Sequence, residues 1–182
     1  MNPEKDKIIT IQYQELERNT AKPVGDLIIL KEWESSEKKI IEKFLESGVI
    51  HPYPFKFVPI GYNLNFEHKF LKQKTEAYGL PLVNILDKPT IDLRAIGVIM
   101  NNGEFKGSGL DKITEKPMNG SQIPTWYENK EYWKIIEYIE AEAKTFIKFN
   151  EILYRELPQL RRKISNGQEN HNRIKQAVEQ GI

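Results

Sequence analysis

The pattern of apolar and polar residues predicts that the chain begins with two strands and a helix. Two segments rich in β-branched and aromatic residues, Lys7–Tyr13 and Val24–Trp33, predict strands joined by a polar connection at Gln14–Pro23. Ser35–Ser36 then precede apolar residues that recur at every third or fourth position, which predicts a helix ending at Ser47–Gly48. The predicted order up to this point is β-β-α.

A second strand and helix follow a loop that contains two prolines. The loop is His51–Pro54, because proline has no backbone donor and biases the preceding residue away from helix. The apolar run Phe55–Ile60 predicts a strand, and Asn65–Tyr78 predicts a helix that ends at Gly79. We expect four side chains to form the buried face of this helix: Phe66, Phe70, Leu71 and Ala77.

The next segment has two interpretations. Thr90–Leu93 is typical of a short buried strand, and Asp92 would cap a helix over Leu93–Met100 that ends at Asn102–Gly103. The alternative is a hairpin about Asn102–Gly103, because Val98–Met100 is also acceptable strand sequence.

The second half of the chain is predicted to be mostly helical. Ser108 stands three residues before Asp111, which indicates a capping box at the start of a short helix. We expect a loop at Glu115–Asn129 and then a long helix over Lys130–Leu157 that Pro158 ends. Its apolar stripe comprises Tyr132, Ile135, Ile136, Ile139, Ala143, Phe146, Ile147 and Leu153.

The segment after Pro158 is predicted to be a helical extension interrupted at Asn166–Gly167, with a weak last helix at Glu169–Gln180. Basic residues cluster at this end of the chain. A cluster of this kind forms either a solvated face or a site of phosphate contact, and both interpretations stay open. The residues are Arg155, Arg161, Arg162, Lys163, Arg173 and Lys175.

Composition narrows the class of protein. With 182 residues and 39% hydrophobic residues, the chain is long enough for one buried core. Lys and Arg total 27 against 26 Asp and Glu, so net charge indicates no partner. The absence of cysteine excludes disulfides and thiol catalysis. No run of 18 apolar residues and no secretory apolar core occur, so we expect a soluble cytoplasmic protein.

One stretch, Gly61–Leu71, places Asn63, Phe66 and Glu67 where a strand gives way to a helix. In open α/β sheets, ligands bind in the crevice beyond the carboxyl ends of the strands. Glu67 is therefore a candidate metal ligand there. Taken alone, it is more typical of a solvated acid that complements a helix dipole than of a metal ligand.

Two distant segments together resemble a known family. Residues 63–71 follow the pattern N-x-x-F-acid-x-x-F-L, which resembles the second motif of the 3′-5′ exonucleases that share the ribonuclease H-like fold. Tyr138–Thr145 resembles the third motif, Y-x-x-x-D-A-x-x-T, of the exonuclease domains of family B DNA polymerases. Glu67 and Glu142 stand where the family usually has Asp.

The resemblance implies an α/β fold with a ribonuclease H-like mixed sheet flanked by helices over residues 1–157, followed by the basic helical extension 158–182. It also implies two-metal phosphodiester hydrolysis with Mg²⁺ or Mn²⁺, in which carboxylates from several elements meet at one point. Glu67 and Glu142 would be metal ligands and catalytic residues, and Tyr138 would orient the attacking water. Asp92 is a further candidate ligand, although it is interpreted first as a helix cap.

The expected substrate is single-stranded DNA or a DNA 3′ end, with RNA left open. We expect nucleic-acid contacts from Asn63, Phe66 and Lys106, and from Trp126 through base stacking.

The family's first motif, an Asp-x-Glu pair on its first strand, should lie directly before the turn Asn2–Asp6, where the chain has only Met1. In the strand order 3-2-1-4-5 of this fold, that strand would be central, between Lys7–Tyr13 and Phe55–Ile60. We expect either a longer natural sequence or a protein that has lost this strand, and we favour the first because loss of a central strand would leave backbone donors and acceptors to be paired by something else. A non-catalytic nucleic-acid-binding or protein-interaction module on the same fold is the alternative function.

Overall fold

The computed structural model describes residues 2–51, 53, 55–56, 58–114 and 120–179, with side chains of the last helix described up to residue 165. It is a mixed α/β structure. Four strands form two separate two-stranded sheets within the described residues, and helices cover them. The predicted α/β class is therefore confirmed.

The first sheet is an antiparallel hairpin. Strand β1 (Thr10–Leu16) pairs with strand β2 (Pro23–Lys31), so that Thr10 lies opposite Lys31. Both predicted strands exist, but β1 begins three residues later than predicted, and the connection is shorter because residues 14–16 belong to the ladder. A short 3₁₀ helix, Glu32–Glu34, follows β2 where the prediction continued the strand.

Helix α1 (Glu37–Glu46) begins as the sequence predicts. Ser36 is its N-cap, and the Ser36 hydroxyl accepts a hydrogen bond from the Lys39 backbone N–H at 3.2 Å. Gly48 then adopts a left-handed φ of 75°, the conformation that glycine takes most easily after a helix.

The second sheet is parallel and very short. Strand β3 (Ile60–Gly61) leads into helix α2 (Leu64–Ala77), and strand β4 (Ile91–Asp92) leads into helix α3 (Leu93–Met100). The predicted strand over Phe55–Ile60 is wrong in extent. Residues 55–56 form a turn, and the Phe55 side chain is 74% exposed.

Three further α-helices follow in the described part of the chain. Helix α4 (Leu110–Ile113) is followed by a 3₁₀ turn at Gly120–Gln122, helix α5 (Ile123–Glu128) and helix α6 (Tyr132–Glu179). The expected loop at Glu115–Asn129 is therefore partly helical, and residues 115–119 lie outside the described residues.

The predicted ends inside α6 are wrong. The helix passes through Pro158, and its backbone stays helical through Asn166–Gly167 to Glu179. Proline removes one hydrogen bond and kinks a helix, but it does not prevent the ladder from resuming among good helix formers such as those in Gln159–Lys163. The predicted extension therefore continues the long helix.

The hairpin lies between helices on its two faces. Tyr13 of β1 packs in a cluster with Phe44 of α1 and Leu71 of α2. Ile29 of β2, on the opposite face, packs with Ile139 of α6. Because successive side chains of a strand point to opposite faces, α2 and α6 lie on opposite sides of this sheet.

Helix α6 also covers the second sheet. Its residues Phe149 and Leu153 form a cluster with Leu93, against which Ile60 of β3 and Ile91 of β4 pack. One helix thus spans both sheets and carries Glu142 between the two contact regions.

Several predicted burials are wrong at the level of single residues. On α2, Phe66 is 36% exposed and Ala77 is exposed, whereas Leu64 and Thr75 are buried. The predicted capping role of Ser108 also fails. Its side chain is fully buried and donates to the Phe105 carbonyl, and Gly109 occupies the N-cap of α4.

Candidate functional site

The site lies at the carboxyl ends of the two parallel strands. Tyr62 and Asn63 follow β3, and Asp92 ends β4. The N-termini of α2 and α3 begin at the same edge. This is the edge of an open α/β sheet at which ligands usually bind.

Asp92 joins the two helix starts. Its carboxylate accepts backbone hydrogen bonds from Asn63 at 2.8 Å, from Leu64 at 3.0 Å and from Arg94 at 2.9 Å. One carboxylate therefore satisfies otherwise unpaired N–H groups at the start of both α2 and α3. The predicted capping role of Asp92 is confirmed, and both of its oxygens are engaged in that role.

Asn63 occupies a strained position at the start of α2. Its φ is 73°, in the left-handed region that asparagine tolerates better than most residues, and its side chain makes no capping hydrogen bond. It lines a shallow pocket of about 370 Å³ together with Phe66, Lys69, Phe70 and Pro3. The predicted contact residues Asn63 and Phe66 thus border one concave surface.

Glu67 lies in the first turn of α2, close to two other carboxylates. Its side chain as a whole is exposed, but protein atoms surround the carboxyl group and remove part of its hydration. This desolvation, reinforced by repulsion from Asp92 and Glu142, raises the pKa of Glu67 to about 7. Carboxylates of α2, β4 and α6 therefore converge here, although they are distant in sequence.

Glu142 is held by the residue one helical turn before it. The Tyr138 hydroxyl donates a hydrogen bond to Glu142 Oε1 at 3.0 Å. Tyr138 is 6% exposed and packs in the cluster beneath the hairpin, whereas Glu142 is half-buried. The buried phenol thus orients the Glu142 carboxylate, as expected for residues four positions apart on a helix.

The described residues contain few metal ligands at this point. No group of three or more His, Asp or Glu side chains among them is arranged to hold a metal ion. Both oxygens of Asp92 are engaged in backbone hydrogen bonds, and Glu142 accepts a hydrogen bond from Tyr138.

The remaining candidate residues lie in different surroundings. Lys106 is exposed on the loop between α3 and α4. Trp126 belongs to α5 instead of a loop, is half-buried and packs against the cluster around Ile139. Arg155, Arg161, Arg162 and Lys163 are exposed on α6, whereas the side chains of Arg173 and Lys175 lie outside the described residues.

Sequence reasoning missed Arg94 and Tyr62. Both follow a strand end at the site, Arg94 two residues after the capping Asp92 and Tyr62 directly after β3. The sequence signal that could have identified Arg94 is a cationic residue two positions after the acid at the end of a strand. The ring partner of Arg94, Phe105, lies 11 residues further along the chain, which no periodic pattern indicates.

No protein-family model matches the chain, and no curated protein or solved structure is significantly similar to it. None of the described helices is long and apolar enough to cross a membrane.

Substitution Glu67→Gln should remove a pH-dependent loss of stability. The folded carboxyl, with a pKa of about 7 instead of 4.5, holds its proton where the unfolded chain has released it. Unfolding therefore becomes easier as pH rises from 4.5 to 7, and the loss persists above pH 7. Solvent weakens the repulsion that acts on Glu67. We therefore expect the Tm of the wild type to fall by only about 2–4 °C more than that of Glu67→Gln between about pH 5 and pH 8, which is the shift that 1 kcal/mol gives in a chain of this length.

Melting curves of wild type, Glu67→Gln and Glu76→Gln across this pH range check the expectation. Glu76 is an exposed acid on the same helix, so its substitution should leave the wild-type pH profile unchanged. A profile for Glu67→Gln that parallels wild type would show that this carboxyl titrates normally.

Proposed function

We propose that the chain is a metal-dependent nucleic-acid hydrolase of the 3′-5′ exonuclease kind, built on a ribonuclease H-like scaffold. The observation that carries the proposal is the convergence of Glu67 and Glu142. They come from helices on opposite sides of the hairpin sheet, yet they are close enough for the repulsion by Glu142 to add to the desolvation that raises the pKa of Glu67. Acidic residues scattered evenly over a protein surface would not lie close enough to shift one another's pKa.

The split sheet supports the same proposal. Within the described residues, β1 pairs only with β2 and β3 pairs only with β4, so each has one unpaired edge. Helix α6 packs against both sheets. Removing the central strand from a sheet of order 3-2-1-4-5 leaves two strand pairs of this kind. The free backbone groups on the remaining edges would then need other partners. A ribonuclease H-like sheet without its first, central strand between β1 and β3 in the described residues belongs to this proposal.

Glu67 and Glu142 would hold Mg²⁺ or Mn²⁺, because Mg²⁺ in nucleic-acid enzymes is commonly bound through one or two carboxylates together with substrate phosphates. When bound, the ion supplies Lewis-acid polarisation of the phosphoryl group and an activated water. Glu67 must first release its proton, which its pKa of about 7 allows at neutral pH. Tyr138 fixes the direction of the Glu142 carboxylate through its hydrogen bond.

The test is cleavage of labelled single-stranded DNA by the full-length protein with Mn²⁺. We expect shortening from the 3′ end, and a loss of about 100-fold or more in Glu142→Gln, since misplacing a catalytic group by about 1 Å already costs that much. Glu140→Gln, at an exposed acid of the same helix, is the matched control. Equal cleavage by Glu142→Gln and wild type would remove Glu142 from the active site.

A second function, a non-catalytic nucleic-acid-binding or protein-interaction module on the same fold, is favoured by the engagement of Asp92. With both oxygens of Asp92 bonded to backbone N–H groups, Asp92 has no free oxygen to serve as a third metal ligand. This function predicts salt-dependent binding of single strands with no rise of Tm in Mn²⁺. A clear rise of Tm in Mn²⁺ that Glu67→Gln abolishes would argue against it.

A further inference from the structure

Arg94 lies between two aromatic rings at the edge of the site. Its guanidinium carbon is 4.2 Å from the centre of the Phe105 ring and 5.7 Å from that of the Tyr62 ring. One terminal nitrogen donates a hydrogen bond to the Phe105 carbonyl at 3.2 Å. The rings and this carbonyl hold the guanidinium plane in one orientation.

The guanidinium keeps unused hydrogen-bonding capacity. It has five N–H donors and makes no ion pair with a carboxylate among the described residues; Nε is buried without a partner, Nη2 donates to Phe105, and Nη1 makes no hydrogen bond to the described residues, so the terminal nitrogens are the donors that a ligand can reach. An arginine fixed for purely structural reasons usually satisfies more of its donors, because a buried donor without a partner is unfavourable. The arrangement suits an anion that arrives from solution.

Hydrogen bonds fix the conformation of the loop that carries Phe105. The Asn101 side-chain amide donates to the carbonyls of Glu104 at 2.8 Å and Lys106 at 2.9 Å. The Tyr62 hydroxyl donates to the carbonyl of the buried Ser108. Phe105 is nonetheless 62% exposed, so a large apolar ring surface stays in contact with solvent.

Arg94 is also tied to the helix that carries Glu67. The backbone N–H groups of Arg94 and Asn63 donate to the same oxygen of Asp92. The start of α3, with its guanidinium, is therefore fixed relative to the start of α2, with its acid. A chain of linked phosphates that crosses one helix start can reach the other.

We propose that Arg94 and Phe105 form a nucleotide subsite, in which the guanidinium binds a backbone phosphate and the exposed face of Phe105 stacks on a base of a single strand. This inference rests on the proposed function and names a substrate-binding part of the same site. Arginine recognises phosphate through paired donors, and aromatic rings stack on bases without sequence preference. The sequence-predicted Lys106, exposed beside Phe105, adds positive charge at this loop.

The experiment is titration of a fluorescein-labelled oligothymidylate with the full-length protein, followed by anisotropy in EDTA at several salt concentrations. We expect Arg94→Gln to weaken binding about 10-fold and to lower the slope of log affinity against log salt by about 0.7, the value for one lost phosphate contact on a single strand. Arg94→Lys should keep the slope and lose about threefold, because the fork is lost and the charge remains.

Phe105→Ala should weaken binding about fivefold or more with the slope unchanged, because stacking carries no charge. Lys112→Gln removes an exposed charge near the same loop and should change affinity by less than about twofold. If Arg94→Gln unfolds, as a melting curve would show, Arg94→Lys and Phe105→Ala still carry the test.

The outcomes separate this inference from the proposed function. Absence of cleavage together with binding that depends on Arg94 and Phe105 would contradict hydrolysis and support the subsite. Cleavage that depends on Glu142, with oligothymidylate binding unaffected by Arg94→Gln, Arg94→Lys and Phe105→Ala, would overturn the subsite and leave the hydrolase proposal standing. No measurable binding of single strands by folded protein also overturns the subsite.

Discussion

Replacement of Asp92 by alanine is expected to lower the free energy of unfolding by about 2–4 kcal/mol. The substitution removes the acceptor for three backbone N–H groups, those of Asn63, Leu64 and Arg94. Loss of one N-cap costs about 0.5–2 kcal/mol, and this carboxylate caps two helices with charge-assisted bonds. Denaturant unfolding followed by circular dichroism measures the change.

Asp92→Asn separates the capping role from the loss of charge. Its amide keeps one oxygen as an acceptor and places an NH₂ group where Oδ2 accepts from Leu64, so we expect a loss of about 1–2 kcal/mol, between wild type and alanine. The matched control is Asp26→Ala, at an exposed aspartate of β2, which should change stability by less than about 0.5 kcal/mol. A fully stable Asp92→Ala that loses a Mn²⁺ response would instead make Asp92 a metal ligand.

Helix α3 shows how much of this fold local sequence decides. Its bounds, Leu93–Met100, coincide with the prediction, since Asp92 caps its start and Asn102 and Gly103 adopt left-handed φ values of 56° and 86° after its end. The alternative of a hairpin about Asn102–Gly103 is wrong. Capping and left-handed residues act within a few positions, so the sequence alone is sufficient to place them.

The strand predictions failed where pairing decides the structure. The apolar run Phe55–Ile60 satisfies a strand pattern, yet only Ile60 and Gly61 find a parallel partner, at Ile91 and Asp92. A strand requires a neighbour that the local pattern does not specify, so the length of β3 depends on segments far along the chain.

The site likewise has features that local sequence determines and features that only tertiary packing determines. The hydrogen bond from Tyr138 to Glu142 follows from their spacing of four on one helix, whereas the motif predicted that Tyr138 would orient the attacking water. The approach of Glu142 to Glu67 spans 75 positions of sequence, and only the packing of α2 and α6 about the hairpin produces it. Sequence motifs named the acids, but tertiary packing sets the pKa of Glu67.

The position of α2, which carries Glu67, depends on a buried acid of α1 that contacts the C-terminal end of α2. Glu37, at the start of α1, is 6% exposed. Its carboxylate accepts hydrogen bonds from the Ile8 backbone N–H and from the Tyr78 hydroxyl, both at 2.7 Å, and pairs with Lys74 at 3.6 Å. One side chain therefore joins the segment before β1, helix α1 and the last turns of α2.

Substitution Glu37→Ala is expected to destabilise the protein by about 3–5 kcal/mol, because it leaves the largely buried Lys74 ammonium and two hydrogen-bond donors without their acceptor. Tyr78→Phe, which removes one donor and buries no new polar group, should lose only about 1 kcal/mol. Glu46→Ala, at an exposed acid of the same helix, is the control for loss of a glutamate from α1.

A double-mutant cycle of Glu37→Ala with Tyr78→Phe, measured by denaturant unfolding, should give a coupling free energy of about 0.5–3 kcal/mol, as expected for residues in one hydrogen-bond network. Additive effects, or a loss in Glu37→Ala no larger than in Glu46→Ala, would show that α2 is held by apolar packing alone. Because α2 carries Glu67, its altered position in Glu37→Ala should also move the Glu67 pKa away from about 7, which a carboxyl-carbon NMR titration detects. A Glu67 pKa that stays at about 7 in a folded Glu37→Ala protein would mean that the Asp92 cap alone positions the acid.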